Sequence, residues 1–347
     1  MNDSHELALF IRDYRKMNTK PIIVEDMGQR SQLSRVISPI TFVTHPLIPV
    51  PSCSGQISLA QVNRSLHLLG QIPSRQFFIF GNNISHSLSP TIHNTGFAEL
   101  GLPHQYSIYQ TPQIDDNVRQ IIQHPEFGGA SVTYPHKLNV QPLLDSISEP
   151  ATALGAVNTI IVEEGTSGRK LKGDNTDWSG ILSCIQRSKL DGYKGAIVIG
   201  AGGAARAAVY ALQKWGYQRV AIVNRTKSAA ERLAADFPSL HFDICDSLRQ
   251  APKANVIVGC IPADDVKDED IPAHIFSKGL GVVVEMSYRP PISALMRAVS
   301  GQEKWQVFNG VDVLREQAYA QFQLWTGRRA PITVIEEALR EKMSPKT

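Results

Sequence analysis

Between residues 194 and 226 an apolar run, Ala196-Ile197-Val198-Ile199, breaks at Gly200-Ala201-Gly202-Gly203-Ala204-Ala205. An Ala-rich stretch to Trp215 follows, then a second apolar run, Val220-Ala221-Ile222-Val223, ending in Asn224-Arg225-Thr226. Strand, glycine turn, helix and strand within about 30 residues make a β-α-β unit, which requires a parallel sheet with covered faces. Gly200 permits a tight turn. Gly202, Gly203 and Ala204 let backbone N–H groups approach a diphosphate at the positive end of the helix dipole. The end of the second strand selects the nucleotide. A NAD site places a carboxylate there for the ribose 2′-hydroxyl. Here Asn224, Arg225 and Thr226 stand in that place, with no carboxylate before Glu231. Arg225 suits a 2′-phosphate and can stack on adenine, so NADP is the expected cofactor.

Composition sets aside other classes. Charged residues make up 19% and hydrophobic residues 42% of the chain, which excludes a disordered sequence. Net charge is +3 and no Lys/Arg run exceeds two residues, so no nucleic-acid partner is expected. Cys53, Cys184, Cys245 and Cys260 lie far apart without a CxxC pair. That argues against a metal site and a disulfide framework, and fits a reducing, cytoplasmic compartment. The first ten residues lack the basic n-region of a signal peptide. No apolar stretch reaches the roughly 18 residues of a membrane span, so no membrane partner is expected.

At roughly 150 residues per domain, 347 residues make two domains and a fragment. Residues 1–72 hold one strand-like run, Pro21-Ile22-Ile23-Val24, and a Ser/Pro/Gly-rich loop over 44–55. An amphipathic helix follows, with Leu59, Val62, Leu66 and Leu69 at three- and four-residue spacing, closed by Gly70. One strand and one helix cannot bury a core, so this segment reads as a remnant. Residues 76–180 alternate apolar strands (76–81, 106–109, 129–133) with helices after Ser89-Pro90 and near 115–124, an α/β substrate-binding domain. The chain ends in helices near 311–326 and 332–342. Residues 181–311 form the nucleotide domain, with further buried strands at 255–260 and 281–286.

Polar residues gather where the strands of the second region end. They are Ser87 and Ser89, Thr133 and Lys137, Asn158, and Asp177. Ligands of open α/β sheets bind at the carboxyl ends of strands, so this set can converge on a polyhydroxylated small molecule. A Lys–Asp pair suits proton transfer to a carbonyl oxygen. Taken singly, Ser89 and Asp177 also read as helix caps, and Lys137 as a surface cation.

These motifs resemble shikimate dehydrogenase. The resemblance rests on His86-Ser87-Leu88-Ser89-Pro90 with His93-Asn94, Ser131-Val132-Thr133-Tyr134-Pro135-His136-Lys137, and Gly155-Ala156-Val157-Asn158-Thr159. It continues through Gly173-Asp174-Asn175-Thr176-Asp177, Met286-Ser287-Tyr288-Arg289-Pro290 and Gly310 to Gln317. Residues 1–72 resemble the C-terminal end of a type I dehydroquinase, through Met27-Gly28, Leu33-Ser34-Arg35, Val43-Thr44-His45-Pro46 and Gly55-Gln56. That order, with Trp325-Thr326-Gly327-Arg328-Arg329-Ala330-Pro331, is similar to the end of the fungal pentafunctional AROM polypeptide. The sequence departs from the family patterns at Ser131 (Asn in bacterial enzymes), Ser54, Val313 and Cys260-Ile261-Pro262.

The resemblance implies a two-domain α/β fold, a substrate domain plus a Rossmann NADP domain, with a partial TIM-barrel tail at the N-terminus. It implies reversible NADPH-dependent reduction of 3-dehydroshikimate to shikimate. Lys137 and Asp177 would be the catalytic pair. Ser87 and Ser89 would hold the carboxylate, and Thr133, Asn158, Tyr288 and Gln317 the ring. Gly310 joins Gly200, Gly202, Gly203, Ala204, Asn224, Arg225 and Thr226 at the cofactor. The expected partner is the small-molecule substrate, with a homodimer left open. The rival reading is regulatory, because fungal quinate repressor proteins resemble the same regions and bind metabolites without turnover. Intact Lys137, Asp177 and Arg225 count against it.

Overall fold

A computed structural model of the chain describes residues 2–20, 22–24, 32–38, 40–48, 50, 55–166, 168–190, 192, 195–287 and 290–344. Tyr288, Arg289, Met27, Gly28, Cys53 and Ser54 lie outside the described residues.

Two six-stranded sheets organise the molecule. The first contains β1 (Arg75–Gly81), β2 (His104–Gln110), β3 (Phe127–Val132), β4 (Ser146–Ile147), β5 (Thr159–Gly165) and β6 (Gly168–Asp174), in the order β2-β1-β3-β5-β6-β4. β2, β1 and β3 run parallel, and β5 pairs antiparallel with both β3 and β6. The second contains β7 (Ala196–Ile199), β8 (Arg219–Val223), β9 (His241–Cys245), β10 (Val256–Gly259), β11 (Gly281–Glu285) and β12 (Trp305–Phe308). It is parallel throughout, in the doubly wound order β12-β11-β10-β7-β8-β9. All residues of β7, β10 and β11 are buried, as expected of strands covered on both faces.

The helices are α1 (Asn2–Met17), α2 (Gln32–Ile37), α3 (Leu59–Leu68), α4 (Ser89–Glu99), α5 (Asp116–Gln123), α6 (Glu149–Leu154) and α7 (Asp177–Arg187). They continue as α8 (Gly203–Trp215), α9 (Lys227–Ala235), α10 (Ala294–Val299), α11 (Gly310–Thr326) and α12 (Ile332–Met343). The chain leaves the first sheet through α7 and returns to it through α11. Gly180 allows these two helices to touch: a Cβ there would lie 2.7 Å from Val313 O and 3.0 Å from Gln317 Cβ. Tyr210 of α8 donates a hydrogen bond to Glu149 Oε2 of α6 at 2.6 Å, a second tie between the two halves.

The N-terminal segment departs from its sequence reading. Ile22–Val24 form no strand, and among the described residues of 1–72 the β pairing is a single bridge, Thr44 with Ser58. Ile22, Ile23 and Val24 meet no neighbouring strand among the described residues, so the run stays irregular. The expected helix forms as α3, with a Ser58–Gln61 capping box. The helix abuts the main body at Gly101, where a Cβ would lie 2.3 Å from Ala60 O, while its buried apolar residues pack within the segment. Val62 and Leu66 pack on Val36 and Ile57, and Leu69 is exposed. Polar contacts join the segment to the rest: Asn63 Nδ2 donates to Leu100 O at 2.6 Å, and His45 Nε2 lies 2.9 Å from Glu99 Oε1.

His93 on α4 is wholly buried, with its ring centroid 4.5 Å from that of Tyr106 and 4.9 Å from that of Trp325. Burial pushes its pKa from 6.5 down to about 3. Between those values the unfolded chain binds more protons than the folded one, so stability falls as pH drops below about 6.5. His93→Phe should flatten this dependence, read as a smaller drop in the urea midpoint between pH 7 and pH 5.

Candidate active site

Lys137 reaches the cleft because its turn is pinned from both sides. The buried His136 places Nε2 2.8 Å from Thr111 O, and Val157 N donates to Lys137 O at 2.9 Å. Asp177 is the first residue of α7, where the helix dipole favours a carboxylate. Its backbone N–H donates to Asn175 Oδ1 at 2.9 Å. Lys137 Nζ donates to Asp177 Oδ2 at 2.5 Å, and Asn158 Nδ2 donates to Asp177 Oδ1 at 2.9 Å. The ammonium side chain is 33% exposed and the carboxylate 26%, so both face an opening rather than the core.

A buried hydrogen-bond chain stands behind this pair. Tyr106 Oη donates to Ser131 Oγ (2.7 Å), and Ser131 Oγ donates to Gln321 Oε1 (2.8 Å). Gln321 Nε2 donates to Thr159 Oγ1 (2.9 Å), which donates to Asn158 Oδ1 (2.6 Å). Thr176 N donates to the same Asn158 oxygen at 2.8 Å, and Thr176 Oγ1 donates to Gln317 Oε1 at 3.0 Å. Asn158 is thereby locked in one orientation, with its amide aimed at Asp177. Gln321, Thr159, Thr176 and Tyr106 were not singled out in the sequence. Gln321 had a signal, because it lies four residues after Gln317 and so on the same helix face. Gln321→Met would leave the buried Ser131 and Thr159 hydroxyls short of partners. It should cost roughly 1–3 kcal/mol of stability in urea denaturation.

The remaining expected residues fall around two openings. Thr133 lines a cavity of about 450 Å³ with Asn82, His86, Tyr134 and Ser287. Ser87 and Ser89 sit beside it at the start of α4, where Ser87 Oγ accepts from Ser89 N at 3.2 Å. Ser89 is the first helical residue rather than the cap, which is Leu88. Gly310 is buried at the start of α11, packed so closely that a Cβ would lie 2.4 Å from Met286 O. The second opening lies at the carboxyl ends of β7 and β8. It is a cleft of about 260 Å³ whose lining includes Ile199, Asn224, Arg225 and Asp265. Asn224 Nδ2 donates to Thr226 O at 2.8 Å and braces the strand end.

The glycine turn beside this cleft fits a nucleotide diphosphate. Gly200 has φ +114°, the left-handed region that favours glycine. Cβ atoms at Gly202 or Gly203 would meet nothing within 4 Å, so their surroundings are open to a ligand. Ala204 follows in the first turn of α8.

Family models match four stretches of this chain. They are the shikimate dehydrogenase substrate binding domain over residues 79–160, shikimate/quinate 5-dehydrogenase over 185–268, the shikimate 5′-dehydrogenase C-terminal domain over 310–340, and type I 3-dehydroquinase over 1–73. Shikimate 5-dehydrogenase from Thermus thermophilus, solved with NADP(H) and shikimate, is 32% identical with a TM-score of 0.65. The match covers 78% of this chain and all of that one. The chain belongs to the shikimate dehydrogenase family. The dehydroquinate dehydratase and shikimate dehydrogenase unit of Schizosaccharomyces pombe AroM is 37% identical with a TM-score of 0.86, over 97% of this chain and 67% of that one. The pentafunctional AROM polypeptide of Malassezia globosa is 42% identical over 350 residues, 96% of this chain. This shikimate dehydrogenase family member spans about a fifth of the length of that curated relative.

Proposed function

We propose that this chain catalyses the reversible NADPH-dependent reduction of 3-dehydroshikimate to shikimate. The observation that carries the reading is the 2.5 Å contact between Lys137 Nζ and Asp177 Oδ2 at the carboxyl ends of the first sheet's strands. Bound NADPH supplies a hydride to the substrate carbonyl carbon. Lys137 Nζ–H donates a hydrogen bond, then a proton, to the oxygen on which negative charge develops. Asp177 holds the ammonium and accepts from the ring hydroxyl, with Asn158 fixing its other oxygen. Ser87 and Ser89 hold the carboxylate, and Thr133, Tyr288 and Gln317 orient the ring. Gly202, Gly203 and Ala204 would present N–H groups to the diphosphate, Gly310 would adjoin the cofactor, and Asn224, Arg225 and Thr226 would receive the adenosine 2′-phosphate. In this reading residues 76–180 with 312–342 bind substrate and 181–311 bind nucleotide. A cytoplasmic location belongs to the same reading, supported by cysteines without a pairing motif. A homodimer is included, and sedimentation of the purified chain tests it.

Absorbance at the nicotinamide band, with shikimate and quinate each offered with NADP and NAD, tests the activity. The steepest rise should come from shikimate with NADP. No rise with any pair, together with retained shikimate binding, would favour a metabolite sensor.

Residues 1–72 should be silent in chemistry. A TIM barrel needs eight strands to close, and the described part of this segment forms none. Purified protein should show no dehydroquinate turnover, and measurable turnover would contradict this.

A further inference from the structure

Arg225, the residue assigned to the 2′-phosphate, has a side chain that is 86% exposed and paired with Asp265, Nη2 to Oδ2 3.2 Å apart. The strand order β10-β7-β8 explains the pair's position. Arg225 follows β8 and Asp265 lies in the turn after β10, so the pair spans the end of β7 and its Gly200 turn. The same 260 Å³ cleft is lined by Asp246, Asp270 and Arg249. Arg249 Nη2 donates to Glu269 O at 3.2 Å, and Asp270 Oδ2 accepts from Lys267 N at 3.1 Å. Three carboxylates and two guanidinium groups thus line a cleft assigned to a dianionic phosphate.

We infer that Asp265 is a specificity-determining residue: an internal counter-ion that holds Arg225 across the cleft mouth and must be displaced by the 2′-phosphate. The inference rests on the assignment of Arg225 to that phosphate. The exchange has two consequences. Arg225 is kept oriented over the cleft before nucleotide arrives. Part of the guanidinium–phosphate attraction is offset by the lost carboxylate contact, which weakens NADP retention and leaves NAD untouched. An exposed ion pair is a small term, so the effect is a tuning rather than a switch.

The test is direct binding of NADP, NAD and adenosine 2′-monophosphate to the full chain, by calorimetry, in the unaltered protein and in Asp265→Asn. Asp265→Asn should tighten NADP and adenosine 2′-monophosphate by about 2- to 5-fold, with NAD unchanged. In an Arg225→Ala background the gain should shrink, because there is no guanidinium left to compete for. Unchanged or weaker NADP binding in Asp265→Asn, while Arg225→Ala still discriminates NADP from NAD, would overturn the inference and leave the Arg225 assignment standing. A gain of full size in the Arg225→Ala background would also overturn it. Equal effects of Arg225→Ala on NADP and NAD would overturn the assignment itself.

Discussion

Lys137→Ala should lower the turnover number by roughly 10²–10⁴ and change NADP binding little, the signature of a group acting in general acid–base catalysis. The geometry sets this expectation. Nζ is the sole cationic group hydrogen-bonded to Asp177 among the described residues, and Asp177 is held from three directions by Lys137, Asn158 and Asn175. Truncation removes both the proton donor and the positive charge beside the developing alkoxide. Asp177→Asn should act similarly, since Lys137 would lose its ionic partner and Asn158 Nδ2 would face an amide able to present a donor. The double variant should lose little more than the worse single, because both groups serve one step. Stopped-flow turnover beside equilibrium NADP binding separates these outcomes from general unfolding, which would lower both.

Arg225→Ala should weaken NADP by about 10- to 100-fold and leave NAD within a factor of about two, matching a lost charge-assisted pair of roughly 1.5–3 kcal/mol. Only NADP carries the phosphate that the guanidinium would hold. Michaelis constants for both cofactors, at one ionic strength, check it. Equal loss for both would show that Arg225 acts on something other than the 2′-phosphate.

Much of the nucleotide domain was legible because β7, β10 and most of β8 and β11 are apolar and its turn is rich in glycine, whereas His241 and Asp243 in β9 and Gln306 in β12 interrupt the pattern there. The helix expected to end near Trp215 does end there, at a Gly216 cap with φ +104°. The β5–β6 hairpin was not legible. Glu163, Glu164, Arg169 and Lys170 interrupt its apolar residues, and the glycines at its tip read as an ordinary loop. The sequence also hides α1, whose apolar residues bunch over Leu7–Ile11 instead of recurring at three- and four-residue spacing, with Ile11 buried and Phe10 exposed. The reverse occurred at Ile22–Val24, where a short apolar run joins no sheet among the described residues. In the proposed site, Lys137, Asp177, Asn158 and Gln317 were singled out from motifs, and the structure places them in one hydrogen-bonded group. The supporting chain through Ser131, Gln321 and Thr159 depends on contacts up to 190 positions apart in sequence, which local patterns do not carry. The Arg225–Asp265 pair was hidden for the same reason. Spacing shows an arginine at a strand end, but not the carboxylate that a parallel sheet delivers beside it.

The proposed reaction is hydride transfer to a carbonyl carbon with Lys137 as proton donor. Its most direct test offers 3-dehydroshikimate with NADPH deuterated at the transferred C4 position, in ordinary water, and reads the product by mass spectrometry. The product should be shikimate one mass unit heavier, with the label on carbon and retained after exchange into fresh water, and Lys137→Ala should give no such product on the same timescale. Unlabelled shikimate, or labelled shikimate formed equally fast by Lys137→Ala, would contradict it.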